Sequence, residues 1–413
     1  MLSLDFIREN KQKVIDAAKN KNRVVNIDDI LLLDDKRKEL LHKIQKLREE
    51  RNIIAKEKNI ERGKAIKEEL KKLESEEAEI SLKLDGLLAV VPNVPLDEVP
   101  IGKDETFNKE LEKWGTVPQF SFTPKTHEQL GKDLDLLDLE RGSKVSGFRG
   151  YILKNELAQL HFGVLMFAFQ SLIKKGFTPI TSPSVVKGFT LFGSGQFPWG
   201  EKEVYTLNDS DSYLAGTGEV AATALHSGEI LDEKTLPKKY VTLSPCYRKE
   251  AGSYGKDTRG LYRVHEFWKV EQVVIAKNNI EEARQIHKEL QRNAEELLQA
   301  LEIPYRVLLM STGDMGEPQI LKYDTEAWMP SRNAYGETMS NSIMGDFQMR
   351  RLKTKYRTGD GKTEYCFSLN NTAIASPRIL IPLLENHQQE DGSIKIPKAL
   401  HPYLGFKEIK TKN

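Results

Sequence analysis

The sequence predicts an α+β chain in two parts, an N-terminal antiparallel helical hairpin followed by a body built on an antiparallel β-sheet flanked by helices. Three observations predict this. A long heptad stretch carries almost no Gly or Pro, a proline-rich break follows it, and beyond the break short apolar runs alternate with amphipathic helical segments. The expected boundary puts a coiled-coil arm and its linker in residues 1–108 and the body in residues 109–413.

The hairpin rests on spacing. Leu33, Leu40, Ile44, Leu47 and Ile54 fall on a 4-3 repeat, with Arg37 and Arg51 in the skipped seam positions. The repeat restarts at Ile66 and runs through Leu70, Leu73, Ile80, Leu84, Leu87 and Val91, with Glu77 in the seam. A 3.5-residue period marks a coiled-coil stripe rather than the wider face of a globular helix. Between the runs, Asn59-Ile60-Glu61-Arg62-Gly63 offers a turn, and two helices joined by a short turn pack antiparallel. At ~1.5 Å per residue each helix would be roughly 40 Å long, a rod with no core beyond its own seam. The pattern alone leaves two uses open, a dimerisation coiled coil or an RNA-gripping arm. Lys46, Arg48 and Lys58 are among the many cations on it that suit phosphate.

Pro92, Pro95 and Pro100 end the second helix and impose an extended linker. In the body, Tyr240–Leu243 and Lys269–Ile275 read as strands, and Asn279 to Leu301 as an amphipathic helix. No internal repeat of 20–50 residues is evident.

Bulk composition excludes several classes. Lys and Arg total 62 against 61 Asp and Glu, a net charge of +1, so the chain is no wholesale polycation, although a local basic surface remains open. Two cysteines, Cys246 and Cys366, make no disulfide framework and no Cys-rich zinc site, as suits a reducing compartment. The N-terminal MLSLDFIRENKQKVIDAAKNKN has no long apolar core and reads as no signal peptide, and no stretch of about 18 apolar residues is expected to cross a membrane.

The chemistry-bearing string is CYRKEAGSYGKDTRGLYRVHEFWKVE, residues 246–271. Two strand-like runs flank a loop rich in glycine, which reads as a hairpin. Alternation along the strands would place Arg248 and Glu250 on one face, shared across the sheet by Arg263, Phe267 and Glu271. A guanidinium, carboxylates and an aromatic ring brought together can hold a nucleotide, the Arg on phosphate and the ring on the base. A salt-bridged hairpin with an ordinary core Phe is the bland alternative.

This string resembles the second signature motif of class II aminoacyl-tRNA synthetases in its seryl, bacterial-type form. The resemblance spans the chain. VPNVPLDEVPIGKDE is similar to the linker between arm and body, and GFTPITSPSVV to the first signature motif at the dimer interface. YLAGTGE resembles the T-x-E loop, NAYGETMSNSIMGDFQMRR the metal- and ATP-contacting strand, and LNNTAIASPRILIPLLEN the third motif.

The resemblance implies an activity: ATP-dependent activation of L-serine to seryl-adenylate, then transfer to the 3′ end of tRNA(Ser). Family members commonly charge a selenocysteine tRNA as well, which leaves a second tRNA open. It implies a cytoplasmic homodimer with Mg²⁺, no zinc, and an arm that grips the long variable arm of the tRNA through Lys46, Arg48 and Lys58. Arg248, Glu271 and Arg378 would be catalytic. ATP would meet Arg248, Lys249, Glu250, Val264, Phe267, Glu337, Thr338, Met339, Ser340 and Arg378, with Glu337 and Ser340 holding Mg²⁺. Serine would meet Thr217, Gly218, Glu219, Arg248, Glu271, Asn370 and Thr372, the last recognising its hydroxyl. His265 is read as a hydrogen-bonded strand histidine, and no dedicated general base is expected.

Several positions depart from the family pattern. Gly218 stands where Ala is usual, and Thr338, Met339, Ile343 and Met344 replace small hydroxyl or thiol residues. Asn371 replaces a Gly, and Pro382 falls inside the third-motif helix, where it should kink the helix or lie in its first turn. A non-catalytic paralogue, acting as an RNA-binding or scaffold protein, is the alternative; it would lack catalytic charges, yet Arg248, Glu250, Glu271, Glu337 and Arg378 are all present. A carrier-protein ligase would lack the arm. A threonine, proline or glycine enzyme would carry an anticodon-binding domain, for which the stretch after Gly392 is too short.

Overall fold

The computed structural model describes residues 1–57, 59–207, 211–253 and 259–410. The chain forms two compact units, Met1–Val94 and Pro95–Asn413.

In the first unit, α1 (Leu4–Glu9) and α2 (Lys11–Asn20) precede the long helices α3 (Ile27–Glu57) and α4 (Ile60–Ala89). The expected seam is present: Ile44, Ile66 and Leu70 are buried, with Leu47, Ile54 and Leu73 packed around them. Two details correct the sequence reading. The turn is tighter than expected, because the Asn59 side chain caps α4 by accepting from the Arg62 N–H, and Gly63 already lies inside the helix. The arm also has a core beyond its seam. Ile7 and Val14 from α1 and α2 join Ile27, Ile30, Leu84 and Leu88 in one cluster at its base. There the buried Asp34 carboxylate accepts from Arg8, Lys38 and the seam residue Arg37; burial pushes its pKa up, but these cations hold it below the usual range.

The second unit is built on an eight-stranded sheet. In chain order its strands are β1 (Lys109–Trp114), β2 (Thr178–Ile180), β3 (Lys238–Tyr247), β4 (Glu266–Ala276), β5 (Tyr305–Leu309), β6 (Leu321–Met329), β7 (Ala334–Gly345) and β8 (Phe367–Ser376). They lie in the order β1-β5-β6-β7-β8-β4-β3-β2. All neighbours are antiparallel except the edge pair β2 and β3. Around the sheet stand the helices α5 (His127–Asp133), α6 (Asn155–Lys174), α7 (Glu219–Thr223), α8 (Ile280–Ala300), α9 (Phe347–Leu352) and α10 (Leu380–Asn386). The Asn279 side chain caps α8, accepting from the Glu281 and Glu282 N–H groups.

The central strands bury both faces, and the two faces carry two kinds of polar residue. Gln272, Asn341 and Asn371 point to α8, where they donate to the carbonyls of Leu290, His287 and Leu290 respectively. The residues beside them in sequence line the cavity on the other face. Residues 95–108, expected to group with the arm as its linker, bond to the second unit: the Thr312 N–H donates to Pro100 O at 2.9 Å, and the Ser311 N–H to Asn108 Oδ1 at 2.8 Å.

The expectation that no segment suits a membrane meets one exception among the described residues. By length and composition α6 is apolar enough to cross. Its Leu157, Leu160, Val164, Leu165 and Leu172 lie in the main core beside sheet residues such as Val241, Val270 and Ile374, so it is placed as a core helix.

Candidate active site

A cavity of about 360 Å³ opens on the sheet face opposite α8. Strands β4, β6, β7 and β8 form its floor, while the segments around 217 and 248 and the chain from Leu261 to Val264 form its walls. Of the residues that the motifs assign, Thr217, Glu219, Arg248, Glu250, Val264, Phe267, Glu271, Glu337, Thr338, Met339, Ser340, Asn370, Thr372 and Arg378 all line it. Arg263 lines an adjoining cavity of about 480 Å³ that shares Arg248 and Glu250 with the first.

At one end, buried side chains bond to one another. Both Lys269 and Glu271 project from β4, two residues apart and so on one face, and the Lys269 ammonium lies 2.6 Å from Glu271 Oε2. Thr372 stands directly opposite Glu271, because a bulge in β8 skips Ala373 between the pairs Val270–Ile374 and Glu271–Thr372. The Thr372 hydroxyl donates to Glu271 Oε2 at 3.1 Å. Asn370 Nδ2 donates to Glu271 Oε1 at 3.0 Å and to Glu219 Oε2 at 3.3 Å. Gln348 Nε2, from α9, holds the other Glu219 oxygen at 2.8 Å. Burial, reinforced by the neighbouring Glu271 carboxylate, pushes the Glu219 carboxyl up to about 7.

At the other end, cations lie against rings. The Arg248 guanidinium is 5.2 Å from the Phe267 ring centre, and its Nε–H donates to Gly216 O at 3.1 Å. Arg378 lies 4.5 Å from the Tyr262 ring and donates to Tyr262 O and Glu337 O, each at 3.0 Å. Glu250 adopts φ +52°, a left-handed conformation that costs an ordinary residue energy and is retained where the surroundings impose it. Its Oε2 lies 3.2 Å from Arg263 and 3.6 Å from Arg149.

Between the ends, Lys322 Nζ pairs with Asp324 Oδ2 at 2.9 Å, and Asp324 sits in register with Ser340. Burial and the Glu337 carboxylate push Asp324 up to about 7, against the pull of Lys322. Burial also pushes Glu337 up, but the Arg378 guanidinium, 3.7 Å away, and Lys322 hold it below the usual carboxylate range. Among the described residues no group of three or more His, Cys, Asp and Glu is placed to hold a metal. The donor set that does face the cavity, the Glu337 carboxylate and the Ser340 hydroxyl, is all oxygen. It fits a hard cation that keeps its remaining positions for phosphate and water.

Three sequence expectations change. Lys249 does not line the cavity; its ammonium lies 5.7 Å from the Tyr205 ring, and its N–H donates to Glu203 O. Gly218 lies behind Thr217 rather than in the wall. A Cβ there would come within 2.7 Å of Thr242 Cγ2 and 2.8 Å of Ser244 Oγ, so the space an Ala methyl would need is already filled. The strands of the hairpin end at Tyr247 and begin at Glu266, so Arg248, Glu250 and Arg263 stand on turns rather than on alternating strand positions. Of the other departures, Thr338 and Met339 line the cavity, whereas Ile343, Met344, Asn371 and Pro382 do not. Ile343 is in the main core, Asn371 faces α8, and Pro382 is the third residue of α10, where no helical N–H partner is required. His265 is hydrogen-bonded as expected, exchanging hydrogen bonds with the Arg248 backbone at 2.9 Å, but it lies one residue before β4 rather than on a strand. Lys269, Lys322, Gln348 and Arg149 were missed by sequence reasoning. Lys269 alone had a signal, its position two residues before Glu271.

Comparison with known proteins gives a consistent picture. Residues 203–387 match the family described as tRNA synthetase class II core domain (G, H, P, S and T), and residues 1–95 match the seryl-tRNA synthetase N-terminal domain. The sequence is 46% identical to a serine–tRNA ligase of Deinococcus radiodurans over 99% of each chain. It is 42% identical to that of Treponema denticola, over 99% of this chain and 100% of the other. A crystal structure of seryl-tRNA synthetase from Pyrococcus horikoshii complexed with ATP superimposes with a TM-score of 0.94 at 40% identity, covering 100% of each chain.

Proposed function

The chain belongs to the seryl-tRNA synthetase family and is a serine–tRNA ligase with ATP, serine and tRNA as substrates, and from that premise we propose how its residues divide the work. The observation that carries the proposal is that Arg248 shares one cavity with four carboxylates, Glu219, Glu250, Glu271 and Glu337.

Arg248 bridges the α-phosphate of ATP and the serine carboxylate. Two anions must approach each other for the carboxylate to attack the α-phosphorus, and a fixed cation between them stabilises the charge that builds in the transition state. Phe267 stacks on the adenine while Glu250 accepts from its amino group, and Val264, Thr338 and Met339 complete the nucleotide contacts. Arg378 closes the far side of the base or reaches the γ-phosphate. Glu337 and Ser340 are the residues that would hold Mg²⁺, which when bound supplies charge neutralisation to the triphosphate. Glu271 pairs with the substrate ammonium, Thr217 and Glu219 line its seat with Gly218 behind them, and Thr372 with Asn370 recognises the hydroxyl. A pocket whose own polar groups are left unpaired by alanine rejects it by about 10⁴–10⁵.

The arm serves tRNA(Ser), and we assign residues 1–108 to arm and linker and 109–413 to catalysis. Lys46 and Arg48 are exposed on α3; the Arg48 pair with Glu74, 2.8 Å apart at the surface, is weak enough to yield to phosphate. Lys58 belongs to the same reading but lies outside the described residues. A homodimer is supported by the short edge strand β2 and by exposed Phe162, Val185 and Phe189 nearby in the chain. A cytoplasmic site of action follows from the same activity. The selenocysteine tRNA is a further substrate to be tried alongside tRNA(Ser).

The experiment is pyrophosphate exchange with purified protein, ATP, Mg²⁺ and each amino acid in turn. Exchange with serine alone is expected; exchange with none would favour the non-catalytic paralogue. Lys46→Ala with Arg48→Ala should leave exchange intact, weaken tRNA binding and reduce its salt slope by about two.

A further inference from the structure

His127 has no part in the substrate contacts of the cavity, yet it is buried and bonded at both ring nitrogens. Its Nδ1–H donates to Glu385 Oε1 at 2.8 Å, and its Nε2 accepts from the Leu261 N–H at 3.2 Å. That pattern assigns the neutral tautomer with the proton on Nδ1, since an imidazolium could not accept from Leu261. Glu385, fully buried in α10, also accepts from the His127 N–H at 2.9 Å and from the Ser331 N–H and hydroxyl at 2.9 and 2.8 Å. Burial would push its carboxyl up; the donors from His127 and Ser331 hold it below the usual range. Four segments far apart in sequence, around residues 127, 261, 331 and 385, therefore meet at one ionised carboxylate and one imidazole.

Two of these segments reach the nucleotide end of the cavity. Leu261 and Tyr262 are part of its wall, and Tyr262 O and the Tyr262 ring receive Arg378. Arg378 lies two residues before the start of α10, the helix that Glu385 ties to Ser331. Gly260 fits the same contact: with φ +70°, a Cβ there would sit 2.3 Å from His127 Nε2. The imidazole thus fixes where the chain leaving Gly260 re-enters the wall, and through Tyr262 it fixes the plane of the Arg378 guanidinium.

We propose that His127 is a positioning residue for ATP, setting the Leu261–Tyr262 segment against Arg378 without touching substrate. The inference rests on the assignment of Arg378 and Val264 to the nucleotide.

Two isosteric substitutions separate the two ring contacts. His127→Asn keeps a donor for Glu385 and loses the acceptor for Leu261; His127→Gln can keep an acceptor for Leu261. Serine-dependent pyrophosphate exchange on the full chain should show the ATP KM raised by roughly five- to tenfold in the Asn variant, as expected for one unpaired buried N–H. The serine KM should stay within about twofold, and the Gln variant should recover most of the ATP KM. An Asn variant with an unaltered ATP KM, or with both KM values raised alike, overturns the proposal. If the Asn variant does not fold, Ser331→Ala removes one donor from the same carboxylate; a rise of about two- to threefold in the ATP KM alone is then expected, and no rise overturns the proposal. Absence of serine-dependent exchange in the unmodified protein would instead defeat the reading of the site itself.

Discussion

The two compact units are held together by different kinds of information. In the arm, Ile44, Ile66 and Leu70 meet because a short repeat brings apolar residues to one stripe, and a tight turn at Asn59 folds that stripe on itself. In the body, the cavity draws its side chains from Gln196 to Arg378, and sheet pairing is what makes most of them neighbours. A periodic seam can position a charged surface along a rod. Opposed charges and rings brought together at one point require distant segments to converge, and a sheet with both faces buried does this.

The largest expected effect tests whether chemistry is confined to the body. Arg248→Ala should lower serine-dependent pyrophosphate exchange by about 10²–10³ or more, judging from the removal of single transition-state donors elsewhere, while gel-shift binding of tRNA(Ser) should remain near that of the unmodified protein. A comparable loss of tRNA binding would mean that the two units do not divide the labour as described.

The converse change attacks the seam. Ile44→Ala removes a side chain that is 2% exposed between the long helices and should destabilise the arm by about 2–4 kcal/mol. Calorimetry should show an early transition belonging to the arm, with aminoacylation reduced and pyrophosphate exchange retained. One cooperative transition with loss of both activities would show the units to be thermodynamically coupled.

The smallest effect concerns buried charge, which the arm has at Asp34 and the body has at Glu219, with shifts of opposite sign. Glu219 is raised to about 7, so the folded protein keeps a proton that an ordinary unfolded carboxylate releases at lower pH. The stability tied to that proton is complete below the unfolded carboxylate value and is lost as pH rises through about 7. Glu219→Gln should therefore flatten the fall of the melting temperature over that window. An unchanged slope would mean that another group carries the titration.

Legibility in the sequence divides along the same line. The hairpin could be read from Leu40, Ile44, Ile66 and Leu70 because its contacts repeat locally; its basal core could not, since Ile7 and Val14 reach it from separate short helices. In the body, the strands around Thr242 and Val273 were readable as short apolar runs and the helix from Asn279 to Leu301 from its amphipathic pattern. The site residues were named by resemblance of motifs, and fourteen of them do line one cavity: Thr217, Glu219, Arg248, Glu250, Val264, Phe267, Glu271, Glu337, Thr338, Met339, Ser340, Asn370, Thr372 and Arg378. Lys249 does not, because the strand stops at Tyr247 and alternation no longer governs the residues beyond it. Gln348 escaped notice because it acts on Glu219, a carboxylate contributed by another segment, and only the tertiary fold makes such a partner visible; Lys322 and its partner Asp324 stand two apart on one strand, outside every motif read from the sequence. Gly218 looked like drift and is instead explained by Thr242 and Ser244, which take up the volume of the absent methyl.

The skipped residue at Ala373 has a practical consequence for redesign. It offsets the register on one side of Thr372 relative to the other. Deleting a single residue from the rest of that strand would turn the outward row of side chains inward, exchanging a hydroxyl for an aliphatic group opposite the carboxylate. Attempts to change which amino acid is accepted should therefore swap side chains at fixed length and leave the number of residues there alone.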